Sequence, residues 1–149
     1  MAKGLKLGVQ SSSDHISTHT SYAMIYTPSS SRVDIVKAMR ERHVYAATDN
    51  IILDVQARDG DRNCMMGDIF EPRSKRVQFK IKVVGTDVIT RLDIIKNNTF
   101  AFTKEGNAKE MTVDYSDEAP RKGENYYYVR IQQIDRNMAW SSPIWLLID

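Results

Sequence analysis

The residue types best suited to chemistry stand together in Ser12-Ser13-Asp14-His15-Ile16-Ser17-Thr18-His19. Asp14 offers a carboxylate, and His15 and His19 offer imidazoles, all donors that Zn, Mn or Fe accept. An ion held by such donors lowers the pKa of a bound water and makes it a nucleophile at neutral pH. His15 and His19 are four residues apart, a spacing that would face both rings together on a helix. The surrounding Ser and Thr residues favour a loop, whose backbone the same rings could instead hydrogen-bond. The candidate metal ligands are therefore Asp14, His15 and His19, and no catalytic acid, base or nucleophile is assigned. His43 follows a helix and reads as a cation at its negative end.

The loop needs elements to carry it. Residues 5–10 (LKLGVQ) read as a short strand running into it, and residues 21–27 as a second. Pro28 and Ser29-Ser30-Ser31 form a turn. Ser31 followed by Asp34 resembles a capping box, and Val33, Val36 and Met39 recur at helical spacing, which predicts a helix over residues 32–42. After Asp49 the period becomes two. Leu53, Val55 and Ala57 alternate with Asp54, Gln56 and Arg58, and Val77, Phe79, Ile81 and Val83 with Gln78, Lys80 and Lys82. Leu92 and Ile94 follow, with Asn97-Asn98 as a hairpin turn before Phe100 and Phe102. Residues 111–115, 127–131 and 144–148 are further strands, with turn signals at residues 59–60, 71–72, 104–107, 119–123 and 135–137. Roughly seven such strands predict an immunoglobulin-like β-sandwich over residues 51–149. The expected class is α+β, mainly β, with a strand, loop and helix over residues 1–50.

Composition narrows the function classes. The 149 residues, 42% of them hydrophobic, suffice for one good core. Lys and Arg number 21 against 19 Asp and Glu, so no concentrated basic face is expected and nucleic acid is excluded as a partner. The purely apolar runs are too short to span a bilayer. No charged-then-apolar leader stands at Met1, which would place the chain in the cytoplasm if it is complete. Cys64 is the lone cysteine and has no internal disulfide partner. Asp59-Gly60-Asp61 superficially suggests a calcium loop, but Cys64 and Phe70 stand where Gly and Glu are required. Tyr126, Tyr127, Tyr128, Trp140 and Trp145 offer either a sugar-stacking platform or core packing.

Three stretches together resemble the C-terminal end of proteins of the PHP (polymerase and histidinol phosphatase) superfamily. They are residues 12–23, Met39-Arg40-Glu41-Arg42-His43-Val44-Tyr45-Ala46-Ala47-Thr48-Asp49-Asn50, and Ala139-Trp140-Ser141-Ser142-Pro143-Ile144-Trp145. The resemblance covers nearly the whole chain but only the last portion of such a protein. It implies a metal-dependent phosphoesterase or related hydrolase on a distorted β/α barrel, with residues 1–50 ending the barrel and residues 51–149 forming a trailing sandwich. Asp14 matches the Asp of the family's last Asp-x-His metal motif. His15 lies one residue on and His19 five, so the ligating imidazole stays open. The family's early His-x-His motif and its middle Glu and His ligands have no counterpart here. The implied partner is a missing N-terminal barrel, with a divalent Zn, Mn or Fe in the intact protein and weak or no metal binding by this chain. The helix face formed by Val33, Val36 and Met39 would then need cover from the sandwich or from a second copy, making a homo-oligomer. The alternative function is a carbohydrate-binding, protein-binding or oligomerisation module.

Overall fold

Alternating side chains put one apolar face on each strand, and that face must find another to bury against. The computed structural model describes residues 4–15, 19–74 and 76–149 and shows how this is met. The elements, in chain order, are β1 (Tyr22–Ile25), α1 (Arg32–Arg40), β2 (Val44–Ala47), β3 (Ile52–Asp59), β4 (Arg62–Met65), β5 (Ile69–Phe70), β6 (Val77–Lys96), β7 (Thr99–Asp117), β8 (Gly123–Gln133), β9 (Met138–Ser141) and β10 (Ile144–Ile148). The protein is mainly β. Its strands form one curled sheet in the order β1-β2-β9-β8-β6-β3-β4, with β7 along β6 and β10 between β8 and β5. The ladders are antiparallel except β5 with β10.

The curl comes from β6. Its residues Gln78–Val84 pair with β3, while Ile89–Lys96 pair with β8. The register slips between Val84 and Ile89. An irregularity of this kind bends a strand and lets one ladder pass from one face of a core to the other. Gln133 fills the bend: its Oε1 accepts from the Thr86 N–H at 2.9 Å, and the residue is fully buried. The inner faces of the two halves share one core. Leu53, Val55, Phe79, Ile81, Leu92, Ile94, Val129 and Ile131 all lie in it. The Phe79 ring packs 4.7 Å from Tyr127 and 5.9 Å from Tyr115, centroid to centroid.

Several expected elements form as read. Asn97 and Asn98 take positive φ of 50° and 66°, the left-handed pair that a tight hairpin demands. Ser31 caps α1, its Oγ accepting from the Asp34 N–H at 3.1 Å. Others differ. Residues 5–10 form no ladder. Val9 N–H instead donates to Ser142 Oγ at 2.9 Å, and Leu5 and Leu7 are exposed. The turn expected at residues 104–107 is absent: β7 continues through them as part of one 19-residue strand, with its register against β6 shifting between Ala108 and Glu105. The helix stops at Arg40, because Arg42 takes a left-handed φ of 63° to lead the chain into β2. It also turns a different face inward. Ala38 is buried and Ile35 half-buried, while Val33, at 76% exposure, Val36 and Met39 face out.

The segment before residue 50 shares the sheet. β2 lies between β1 and β9, and Tyr45 and Ala47 belong to the common core. Tyr45 Oη donates to the Ile51 carbonyl at 3.0 Å and accepts from the Leu53 N–H at 3.3 Å.

Phe79 sits where the two halves meet. Phe79→Ala should cost about 3–5 kcal/mol of stability in chemical denaturation. A loss below about 1 kcal/mol would mean that the ring carries no core packing.

Candidate functional site

The serines that precede Asp14 tie the backbone down. Ser11 Oγ donates to the Tyr22 carbonyl at 2.8 Å and the Ala47 carbonyl at 3.3 Å, anchoring the loop to β1 and β2. Ser13 Oγ donates to the Ser21 carbonyl at 2.8 Å and accepts from the Thr20 and Ser21 N–H groups, both at 3.0 Å. A hydroxyl can donate and accept at once, so one serine closes both ends of a loop. Asp14 and His15 are left facing out, with side chains 78% and 84% exposed. Asp14 Oδ1 accepts from the His15 N–H at 2.6 Å and lies 2.5 Å from His15 Nδ1. His19 is exposed as well, and Ile16, Ser17 and Thr18 lie outside the described residues.

A structural metal site closes three or four donors around one ion in a shielded setting. Among the described residues, no three His, Cys, Asp or Glu side chains are grouped to hold one. Asp14 and His15 meet each other in solvent.

What the structure does bring together is the three stretches that carry the PHP resemblance. In the β2 ladders, Tyr45 lies opposite Met24 and Ser141, and Ala46 opposite Ala23 and Trp140. Ser142 Oγ donates to the Val44 carbonyl at 2.5 Å while accepting from Val9. Ser141 Oγ accepts from the buried Val129 N–H at 2.9 Å. Thr48 Oγ1 accepts from the Met138 N–H and donates to Asn137 Oδ1, both at 2.9 Å. The Trp145 indole is fully buried, with the Arg42 guanidinium 5.6 Å and the Lys6 ammonium 6.0 Å from its ring centre.

The far end of this seam is a close backbone approach. Arg42 Nε donates to the Gly67 carbonyl at 2.9 Å, and Gly67 takes a φ of 98°. A Cβ at Gly67 would collide with the Arg42 carbonyl. His43 was expected as a bare helix-end cation. Its Nε2 lies 2.8 Å from Asp68 Oδ1 and its Nδ1 3.7 Å from Glu41 Oε2, so it clamps the chain after α1 to the turn after β4. Gly67 escapes sequence reasoning, and Ser141 and Ser142 enter it only as part of the resemblance. The one signal was two serines beside the apolar run Ile144–Ile148, polar atoms that must find partners when buried.

Two carboxylates are buried elsewhere. Asp93, 1% exposed, accepts from Arg130 Nη2 at 2.7 Å, Thr103 Oγ1 at 2.7 Å and Arg91 Nε at 2.8 Å. Arg130 is thus tied into a buried ion pair with Asp93. Burial pushes the Asp93 pKa up, but the bonds from Thr103, Arg91 and Arg130 outweigh it and hold the carboxyl below its usual range. Asp117 is held low in the same way, burial being outweighed by Lys96 Nζ at 2.5 Å and Tyr127 Oη at 2.6 Å. Burial drives the Cys64 thiol up to about 12, so it is not a nucleophile. Tyr126, Tyr127 and Trp145 are buried and Tyr128 and Trp140 half-buried, so these aromatics leave no exposed row for a sugar ring.

No protein-family model matches the chain, and no solved structure matches it. It is similar to an uncharacterized protein of Chlamydia pneumoniae, 31% identical over 132 residues. It is also similar to one of Chlamydia trachomatis, 28% identical over 130 residues. The matches cover 77% and 78% of this chain and 21% of each relative. The chain thus spans about one fifth of the length of the curated relatives it matches.

Two outcomes follow from this geometry. Gly67→Ala should destabilise the protein by about 1–3 kcal/mol or more, through strained backbone and a clash with Arg42; unchanged thermal unfolding would show that the approach is loose. The second concerns acid. Asp93 titrates lower folded than unfolded, so its contribution is present above the unfolded carboxylate pKa and is lost as pH falls through the folded one. Asp93→Asn should cost stability at neutral pH, and the gap to the parent protein should close as denaturation curves are taken into acid. A gap independent of pH would contradict it.

Proposed function

We propose that the chain is the C-terminal part of a PHP-type metal-dependent hydrolase, phosphoesterase-like in its chemistry. In this reading residues 1–50 end a β/α barrel and residues 51–149 form an immunoglobulin-like sandwich. Asp14, with His15 or His19, is contributed to a divalent-metal site (Zn, Mn or Fe) whose remaining ligands lie in the rest of the protein. The metal would supply an activated water. This chain's own part is to position the loop: Ser11 and Ser13 fasten it, and Asp14 holds the His15 ring at Nδ1.

The observation that carries the reading is the seam around β2. Three stretches far apart in sequence, chosen for their resemblance to one family, are hydrogen-bonded into one unit that presents Asp14 and His15 outward. Rigid anchoring beneath exposed donors is what a site shared with another part of a protein requires. The greater length of the Chlamydia relatives leaves room for that part. The second reading, an interaction or oligomerisation module, draws on the exposed edge of β7.

The test uses the full-length protein encoded by the same reading frame. It should bind a divalent metal by elemental analysis and hydrolyse a generic phosphoester, with both reduced at least tenfold by Asp14→Ala. The 149-residue chain alone should hold metal only weakly, and less as pH drops through the histidine range, because a protonated imidazole cannot coordinate. Metal and turnover undisturbed by Asp14→Ala, or a stoichiometric tightly held metal in this chain alone, would overturn the proposal.

A further inference from the structure

The outward side of α1 is apolar and open. Val33, Val36 and Met39 are 76%, 39% and 45% exposed, while Ala38 and Ile35 turn inward. Spaced by three, the exposed residues form one ridge along the helix, the kind that seats in the groove of a second helix. Arg32, Lys37 and Arg40 stand on the same side and, with Val33, Val36 and Glu41, line one open hollow. Apart from the attraction of Lys37 to Asp34, no ion pair or side-chain hydrogen bond engages these three cations among the described residues. The nearby acids are turned elsewhere. Asp34 accepts from the Ser29 and Ser31 hydroxyls at the cap, and Glu41 Oε2 lies 3.7 Å from His43 Nδ1. An apolar ridge among unspent cations is complementary to an apolar surface rimmed by carboxylates.

We propose that α1 docks through Val33, Val36 and Met39 on a helix in the rest of the longer protein, one whose apolar face is flanked by Asp or Glu. Such docking rests on the longer protein of the proposed function, though on neither its metal nor its hydrolase chemistry. The matched stretch is 21% of each Chlamydia relative, so most of such a protein lies outside it. Size favours a partner on the same chain. A nine-residue helix is about 13 Å long. Its three outward apolar side chains cover far less than the roughly 800 Å² per partner that a stable complex of separate molecules buries. A tethered partner needs less, because the covalent link holds it at high effective concentration and spares most of the translational entropy of association. Charge points the same way. A second copy set ridge against ridge would bring Arg32, Lys37 and Arg40 of one chain up to those of the other, and like charges brought together oppose such a pair.

Peroxide oxidation of Met39 and carbodiimide coupling of Lys37 to neighbouring carboxylates, both read by mass spectrometry, test it. Each compares the 149-residue chain with the full-length protein encoded by the same reading frame. Met39 should oxidise at least about tenfold more slowly in the full-length protein, where its sulfur is covered. Lys37 should couple there to an Asp or Glu outside these residues. Val36→Asp and Arg40→Glu, each in the full-length protein with circular dichroism confirming the fold, should return Met39 to the rate of the short chain, whereas Arg40→Lys should keep it protected. Equal oxidation of Met39 in the two proteins would overturn the proposal. So would coupling of Lys37 only within this chain or to a second copy, protection that appears only with vesicles of anionic lipid, or a reading frame that encodes no further chain. Metal bound to the full-length protein separates this docking from the hydrolase reading. Protection of Met39 without bound metal sinks the hydrolase reading alone, and bound metal with Met39 open to peroxide sinks the docking alone.

Discussion

Everything in this protein hangs on the bend in β6. A flat sheet with the same strands would expose one apolar face to water along its length. By slipping register between Val84 and Ile89, β6 carries the ladder around a corner, so that the face holding Leu53, Val55 and Phe79 meets the face holding Ile94, Val129 and Ile131. The corner leaves backbone groups without ladder partners, and buried N–H groups left unpaired are costly. The Gln133 amide oxygen meets two of them, accepting from the Thr86 N–H at 2.9 Å and the Asp87 N–H at 3.4 Å. A hydrophobic demand is thus met only because a polar side chain repairs the backbone at the turn.

The same logic recurs at the seam. β2 pairs with β1 and β9, which come from distant parts of the chain, and small hydroxyl residues fasten the segments around it, Ser11, Ser13, Ser141, Ser142 and Thr48 each bridging two segments. Their reach is short, so they also fix the distance between the segments they join. That is why a loop with exposed Asp14 and His15 can be held firmly by a strand of only four residues, β1. Gly67 plays the complementary part, since the backbone of Arg42 can approach it only where no Cβ stands.

Buried charge shows a third form of this economy. Asp93 lies on the outer side of the ladder between Thr103 and Arg130, covered by the guanidinium groups that neutralise it. Phe100 shields both, with the Arg91 and Arg130 guanidinium carbons 5.7 and 5.1 Å from its ring centre. The arrangement turns what reads as an ordinary polar strand position into a small closed network.

The strands of the second half were legible in the sequence because period-two alternation follows directly from which face a side chain takes. Phe79, Ile81 and Val83 point one way in any register that buries them. The Ser31 cap and the Asn97-Asn98 turn were legible because their chemistry is local. Asp14, His15 and His19 were legible as donor types, but which donors converge depends on segments distant in the chain; among the described residues no three are grouped to hold a metal. Residues 5–10 carry a strand's alternation and yet lack a ladder, since a strand exists only where a neighbour supplies hydrogen bonds. The face of α1 was misjudged for the same reason: spacing identifies the apolar residues, but the fold buries Ala38 and half-buries Ile35 and leaves Val33, Val36 and Met39 exposed. The continuation of β7 through residues 104–107 was hidden by turn-forming residue types, which the long ladder with β6 accommodates by a shift of register. Side-chain alternation and local capping belong to the sequence; pairing, burial of polar groups and the meeting of distant residues belong to the tertiary structure, because each needs a partner that only the folded chain brings within reach.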